Sequence, residues 1–148
     1  MIQTKGFRNV TVLDLSEAAL EVAKARLGKQ AAQVHWLVAD ATSWEPFETY
    51  DIWHDRAAFH FLTEEHDLIA YITRLKRAVK AGGHTIIATF ALDGPERCSG
   101  LPVVRYDAAS LGQTLGHGFE LVDSRSHIHV TPWGSTQSFQ FSVFRRSA

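Results

Sequence analysis

Between Val10 and Val38 the chain reads strand, helix, strand, and that order constrains its fold more than any other feature. Val10 to Leu15 (VTVLDL) is β-branched and apolar, and Ser16-Glu17 follows at once with a hydroxyl to cap a helix and a carboxylate for its positive end. Leu20, Ala23 and Leu27 then recur at helical spacing on one face, Gly28 supplies a stop, and Val34 to Val38 forms the second strand. Two strands joined by a helix within about 30 residues must run parallel through a right-handed crossover. Parallel strands in turn need helices on their faces, so the chain is expected to be an open α/β sheet.

The rest of the sequence extends that pattern and then breaks it. Tyr50 to His54 (YDIWH) is a strand, and Thr63 is placed to cap a helix carrying Leu68, Ile72, Leu75 and Val79. Gly82-Gly83 is expected to end that helix before the apolar strand His84 to Phe90. Ala91 to Tyr106, with Gly94-Pro95 and Gly100-Leu101-Pro102, is a long irregular stretch of the kind that is functional or mobile. A short helix over Asp107 to Leu115 leads to two long strands, Phe119 to Val130 and Thr136 to Arg145, folded as a hairpin at Pro132-Trp133-Gly134. In the second of these, Phe139, Phe141 and Val143 alternate with Gln140 and Ser142, which predicts one buried and one more polar face.

Composition excludes several function classes. At 148 residues, 45% hydrophobic and 21% charged, the chain suits a single globular domain over 1–148. Sixteen acidic residues nearly cancel fifteen basic ones without blocks of either sign, so no nucleic-acid or anionic-membrane partner is expected. Cys98 is the only cysteine, which excludes an intrachain disulfide and fits a reducing, cytoplasmic setting. No apolar run spans a bilayer, and MIQTKGFRN lacks a secretion signal. His127 and His129 share one strand face, yet no third ligand of suitable spacing accompanies them, so no metal is expected. Cys98 beside Arg97 has no paired base to activate it.

A parallel sheet that ends in an antiparallel hairpin, with an aspartate closing each of two successive strands, resembles the class I S-adenosylmethionine-dependent methyltransferases. The resemblance runs from about Gly6 onward, and the strands look like the second through seventh of that Rossmann-like architecture. The first βα unit is missing, with Met1 to Lys5 as a remnant of its helix. In VTVLDLS, Asp14 resembles the family's ribose-binding acid and Leu15 the residue lying against adenine. In VADAT, Asp40 resembles the acid that accepts from the exocyclic amine, with the Ala41 backbone at a ring nitrogen. Carboxylates suit both tasks, because each offers several acceptor sites at the sheet edge where ligands collect. Either aspartate alone is equally well explained as a turn or helix cap. Trp44 and Phe47, flanking Pro46, border adenine or anchor the loop.

The segment from His54 to Leu62 (HDRAAFHFL) resembles the part of the family that lines the methyl-transfer site. By that resemblance His54 is a cofactor contact, Asp55, Arg56 and His60 are catalytic candidates, and Phe59 and Trp133 are substrate contacts. Asp55 with Arg56 orients a polar acceptor or forms an ion pair under a loop, and Phe59 is a cofactor wall or core. A sulfonium arrives already activated, so positioning and desolvation supply most of the effect. The family's methionyl site also needs a glycine loop opening a helix after the first strand, and no such loop precedes Val10. Gly82-Gly83 and Gly116-His117-Gly118 follow helices instead. The expectation is therefore weak or absent S-adenosylmethionine binding by these residues alone. The reading is methyl transfer to a small-molecule acceptor, by the chain as it stands or completed by a partner or upstream residues, or a non-catalytic oligomeric binding module. A nicotinamide-dependent enzyme would need the same glycine loop, and the terminal hairpin argues against it. Without the first strand, its two neighbours either close up or leave an edge for a homodimer.

Overall fold

The computed structural model describes residues 9–46, 48–56 and 58–147, so the expected helix remnant at Met1 to Lys5 and the role of Phe47 lie outside the described residues. The chain forms two compact units, one ending at Trp44 and the other starting at Glu45.

The first unit is the expected βαβ. Strand β1 (Val10–Asp14) pairs in parallel with β2 (Val34–Val38), with Val10 opposite Val34 and Asp14 opposite Val38. Helix α1 (Glu17–Leu27) begins where Ser16 accepts from the Ala19 N–H and ends at Gly28, whose φ of 60° is the left-handed geometry a side chain resists. A 3₁₀ turn over Gly28–Gln33 then feeds β2. Leu20 and Val34 are the only residues of this unit buried among those described. Two strands and one helix make only half of a layered core.

The second unit is a four-stranded sheet in the order β3-β4-β8-β7. Strand β3 (Tyr50–Arg56) runs parallel to β4 (Val79–Phe90), joined by helix α2 (Glu65–Ala78). The loop after β4 contains a small hairpin, β5 (Arg97–Cys98) with β6 (Leu101–Pro102), and helix α3 (Ala108–Leu115) follows. Strands β7 (Phe119–Val130) and β8 (Thr136–Arg146) form the expected hairpin, and β8 inserts antiparallel beside β4. Asp107 caps α3 in a reciprocal box with Ser110.

Several expectations need correction. The helix ends at Ala78, and Gly82-Gly83 lies within β4. A Cβ on Gly83 would stand 2.8 Å from the Asp51 carbonyl oxygen, so glycine here lets β4 close onto β3 where the pairing shifts between Tyr50 and Ile52. Glu64, not Thr63, occupies the cap position of α2, and it makes no side-chain cap. Both faces of β8 contribute buried residues. Phe139 is buried in a cluster with Ala88 and Phe90, as expected, with Phe141 and Val143 half-buried, while Ser142 and Phe144, expected on the more polar face, are buried alongside Thr85 and Ile87 of β4. Helices cover the face that alternation assigned to solvent.

The other face of this sheet carries two full rows. His54, Ile86, Val143 and Asp123 lie side by side across β3, β4, β8 and β7, and Arg56, Ala88, Phe141 and Arg125 form the next row. Arg56, Ile86, Phe141 and Val143, with residues of β7, line a cleft of about 550 Å³. Each unit also has an outer strand. Among the described residues β1 has β2 as its one strand partner and β3 has β4.

Candidate functional site

In the first unit the βαβ geometry brings two carboxylates to one sheet edge. Parallel β1 and β2 end together, and the Ala39 N–H donates to the Asp14 carbonyl oxygen at 3.0 Å, which holds the segment before Asp40 against the end of β1. Asp14 Oδ1 accepts from the Ser16 N–H at 2.8 Å. Asp40 Oδ1 accepts from both the N–H and the hydroxyl of Thr42, at 2.8 and 2.7 Å. The turn role of each aspartate is thus real. Turn and ligand roles are compatible because a carboxylate has several acceptor directions. Leu15 is 70% exposed and Val38 57%, so an apolar surface flanks the two acids. Ala41 is half-buried in the turn that follows. Vicinal hydroxyls, an amine and a flat heterocycle are the groups such an edge can accept.

In the second unit the segment after β3 is folded inward. Successive strand residues face opposite ways, so Asp55 and Arg56 do not form the expected pair. Asp55 is buried, and the Tyr71 hydroxyl donates to its Oδ2 while the Ala58 N–H donates to Oδ1 at 2.9 Å. The Trp53 indole N–H donates in turn to the Tyr71 oxygen at 2.9 Å. Burial raises the Asp55 carboxyl above its ordinary range, against the lowering effect of the Tyr71 bond. Burial together with the adjacent Asp55 also raises Tyr71. This carboxylate joins β3 to α2 and shapes the turn over Phe59–Phe61; its oxygens are spent on the fold.

Phe59 is fully buried, with its ring centroid 4.9 Å from that of Tyr71 and 5.4 Å from that of Tyr106, and so belongs to the core. His60 is fully buried as well. Its Nδ1 accepts from the Phe90 N–H at 3.1 Å, which puts the proton of the neutral ring on Nε2. Burial lowers its pKa to about 4, so the ring stays neutral near pH 7. Nε2 is buried with no hydrogen-bond partner among the described residues. His60 is therefore a held donor and not a base. The Val104 N–H donates to the His60 carbonyl at 2.8 Å and the Tyr106 N–H to that of Phe90 at 3.1 Å, laying the end of the long loop over this turn.

The remaining candidates are dispersed. His54 and Arg56 are exposed on the sheet face away from α2. Trp133 is 80% exposed in the β7–β8 turn. Cys98 packs against the Ala88, Phe90 and Phe139 cluster. His127 and His129 do share a face, edge-on to Phe141 and Phe139, and no group of three metal-ligating side chains occurs among the described residues. Tyr71 and Tyr106, the partners that fix Asp55 and Phe59, were not singled out from sequence. Tyr71 had a signal, since it sits three residues after Leu68 and four before Leu75 on the same helical face.

Among the described residues the chemistry on hand suits the adenosine end of an adenosyl cofactor better than the methionyl end. The adenosine end has its acids and an exposed apolar platform. For the methionyl end, Gly83 is closed against the Asp51 carbonyl, and Gly116 caps the end of α3, so neither can cradle a ligand.

Comparison with known proteins gives concordant matches. A family model described as a methyltransferase domain matches residues 1–83. The malonyl-[acyl-carrier protein] O-methyltransferase of Anoxybacillus flavithermus is 33% identical over 81 residues, a match spanning 55% of this chain and 29% of that protein. The chain thus spans under a third of the length of that relative. Among solved structures, the N-methyltransferase NodS of Bradyrhizobium japonicum superposes with a TM-score of 0.75 at 16% identity, covering 95% of this chain and 74% of NodS. An S-adenosylmethionine-dependent methyltransferase of Clostridium acetobutylicum gives 0.74 at 13% identity, covering 99% and 78%.

Proposed function

Since the chain belongs to the class I S-adenosylmethionine-dependent methyltransferase family, we propose that it serves methyl transfer to a small-molecule acceptor as the adenosine-holding part of the site. The observation that carries this is the pair of carboxylates, Asp14 and Asp40, at the ends of adjacent parallel strands beside exposed Leu15. Asp14 accepts from the ribose hydroxyls, Asp40 from the adenine amine, and Leu15 lies against the base, with the Ala41 backbone at a ring nitrogen. The cofactor supplies a methyl group already activated on a sulfonium. What the protein adds is position and a dry surface.

Among the described residues no glycine loop opens a helix directly after a strand, so weak cofactor binding and poor turnover by the chain alone are expected. Transfer of labelled methyl from S-adenosylmethionine to a panel of small alcohols, amines and carboxylates tests this. No product above the protein-free rate is expected. Turnover that disappears in Asp14→Ala would show instead that the isolated chain is a complete enzyme. A non-catalytic binding role is the second reading, and the half-covered sheet of the second unit favours it.

A further inference from the structure

Strand β7 ends the four-stranded sheet on the side away from β3, and among the described residues only β8 pairs with it. It is twelve residues long, and Leu121, Val122 and Ile128 are exposed at 45%, 48% and 56%. Outer strands are ordinarily kept from pairing by brevity, proline or lysine, and β7 has none of these. Its one interruption is the register shift between Leu121 and Asp123, which leaves Val122 as an extra residue. That shift also decides which side chains share a face, because residues directly opposite in a ladder lie on the same side. Glu120, Asp123, Arg125 and His127 stand opposite Arg145, Val143, Phe141 and Phe139, on the open side of the sheet. Phe119, Leu121, Ser124, Ser126 and Ile128 stand on the side of Ser142 and Phe144.

We infer that β7 of one copy pairs antiparallel with β7 of a second copy about a two-fold axis at Ser124, a contact made wholly by the second unit. The strand is complementary to itself in this register. Asp123 of each copy stands opposite Arg125 of the other. Within one copy Arg125 Nε already lies 3.4 Å from Asp123 Oδ2, with the two side chains exposed at 81% and 51%. An exposed pair of this kind contributes little by itself. It also does not have to break, since a guanidinium has five donors and a carboxylate several acceptor sites, so two such pairs close into a ring of alternating charge. With Val122 extra in each strand, keeping like faces together sets Glu120 opposite His127 and Phe119 opposite Ile128 of the other copy. The ladder therefore has charge at its centre and an apolar pair at each end. Such an isologous contact closes on itself and consumes both open edges.

Sedimentation of the full chain across a concentration series, with deuterium exchange of the β7 amides at both ends of that series, tests this. The expected result is a reversible dimer in which β7 amides exchange more slowly than in the diluted chain. Arg125→Asp sets four carboxylates around the axis and should raise the dissociation constant at least about tenfold. The charge-exchanged chain, Asp123→Arg with Arg125→Asp, restores alternation within and between copies and should recover most of the loss. Arg56→Glu, exposed on the open face but on β3, should change nothing. Unchanged thermal unfolding of the diluted chain will show that each variant folds. An unmodified chain that stays monomeric to about 0.1 mM, or whose β7 amides gain no protection with concentration, overturns the inference. So does a dimer indifferent to Arg125→Asp, which would place the contact at another edge, or one broken by Arg56→Glu, which would place it on the open face.

Discussion

At the scale of the residue, the second unit is organised by groups that burial has altered. Tyr71 is the link between Asp55, Trp53 and Phe59. Tyr71→Phe keeps the ring contacts and removes the donor to a buried carboxylate, so equilibrium unfolding should show a loss of about 1–3 kcal/mol. His60 acts in the opposite electrostatic sense, its folded pKa lowered from 6.5 to about 4 by burial. A depressed histidine contributes stability that is present above pH 6.5 and lost as pH falls through about 4. His60→Asn leaves an oxygen where Nδ1 accepts from Phe90 and cannot titrate. Urea unfolding at stepped pH should therefore show a shallower decline for the variant between neutrality and pH 4; equal slopes would mean that His60 is not held neutral. Asp14 and Asp40 were legible in the sequence because a strand end determines where its last side chain goes. The Asp55–Tyr71 link was not, since it joins residues 16 apart whose meeting depends on how α2 packs on β3.

Elements were readable in kind and less so in extent. Strand, helix and hairpin order emerged from periodicity and capping, as with Ser16 before α1 and Asp107 before α3. The limit of α2 did not, because two consecutive glycines read as a helix stop when they serve a close β3–β4 approach. That difference is testable. Gly83→Ala would drive a methyl against the Asp51 and Lys80 carbonyls, where backbone must move, and should cost about 1–3 kcal/mol in thermal or denaturant unfolding. Substitution without loss would place Gly83 in an open turn, as the sequence alone implied. The burial of Ser142 and Phe144 has a similar cause. Alternation picks out the face of Phe139, which is buried, but does not show that helices cover the opposite face as well.

For the whole molecule, family and fold were legible from the order of elements together with two aspartates, and the matches over 1–83 and to solved methyltransferases agree. Division into two units and the exposed surfaces of α1 and the sheet were not legible in residue detail, because periodicity marks apolar faces without saying which will find cover. The central proposal concerns the cofactor: that Asp14 and Asp40 hold its adenosine end and that the described residues contribute little to its methionyl end. Calorimetric titration of the chain and of Asp14→Ala with adenosine and with S-adenosylhomocysteine tests that claim most directly. The account predicts weaker than micromolar binding of both ligands, with affinities within about tenfold of one another, and loss of both in Asp14→Ala. Micromolar or tighter binding of S-adenosylhomocysteine, or adenosine binding unchanged in Asp14→Ala, would contradict it.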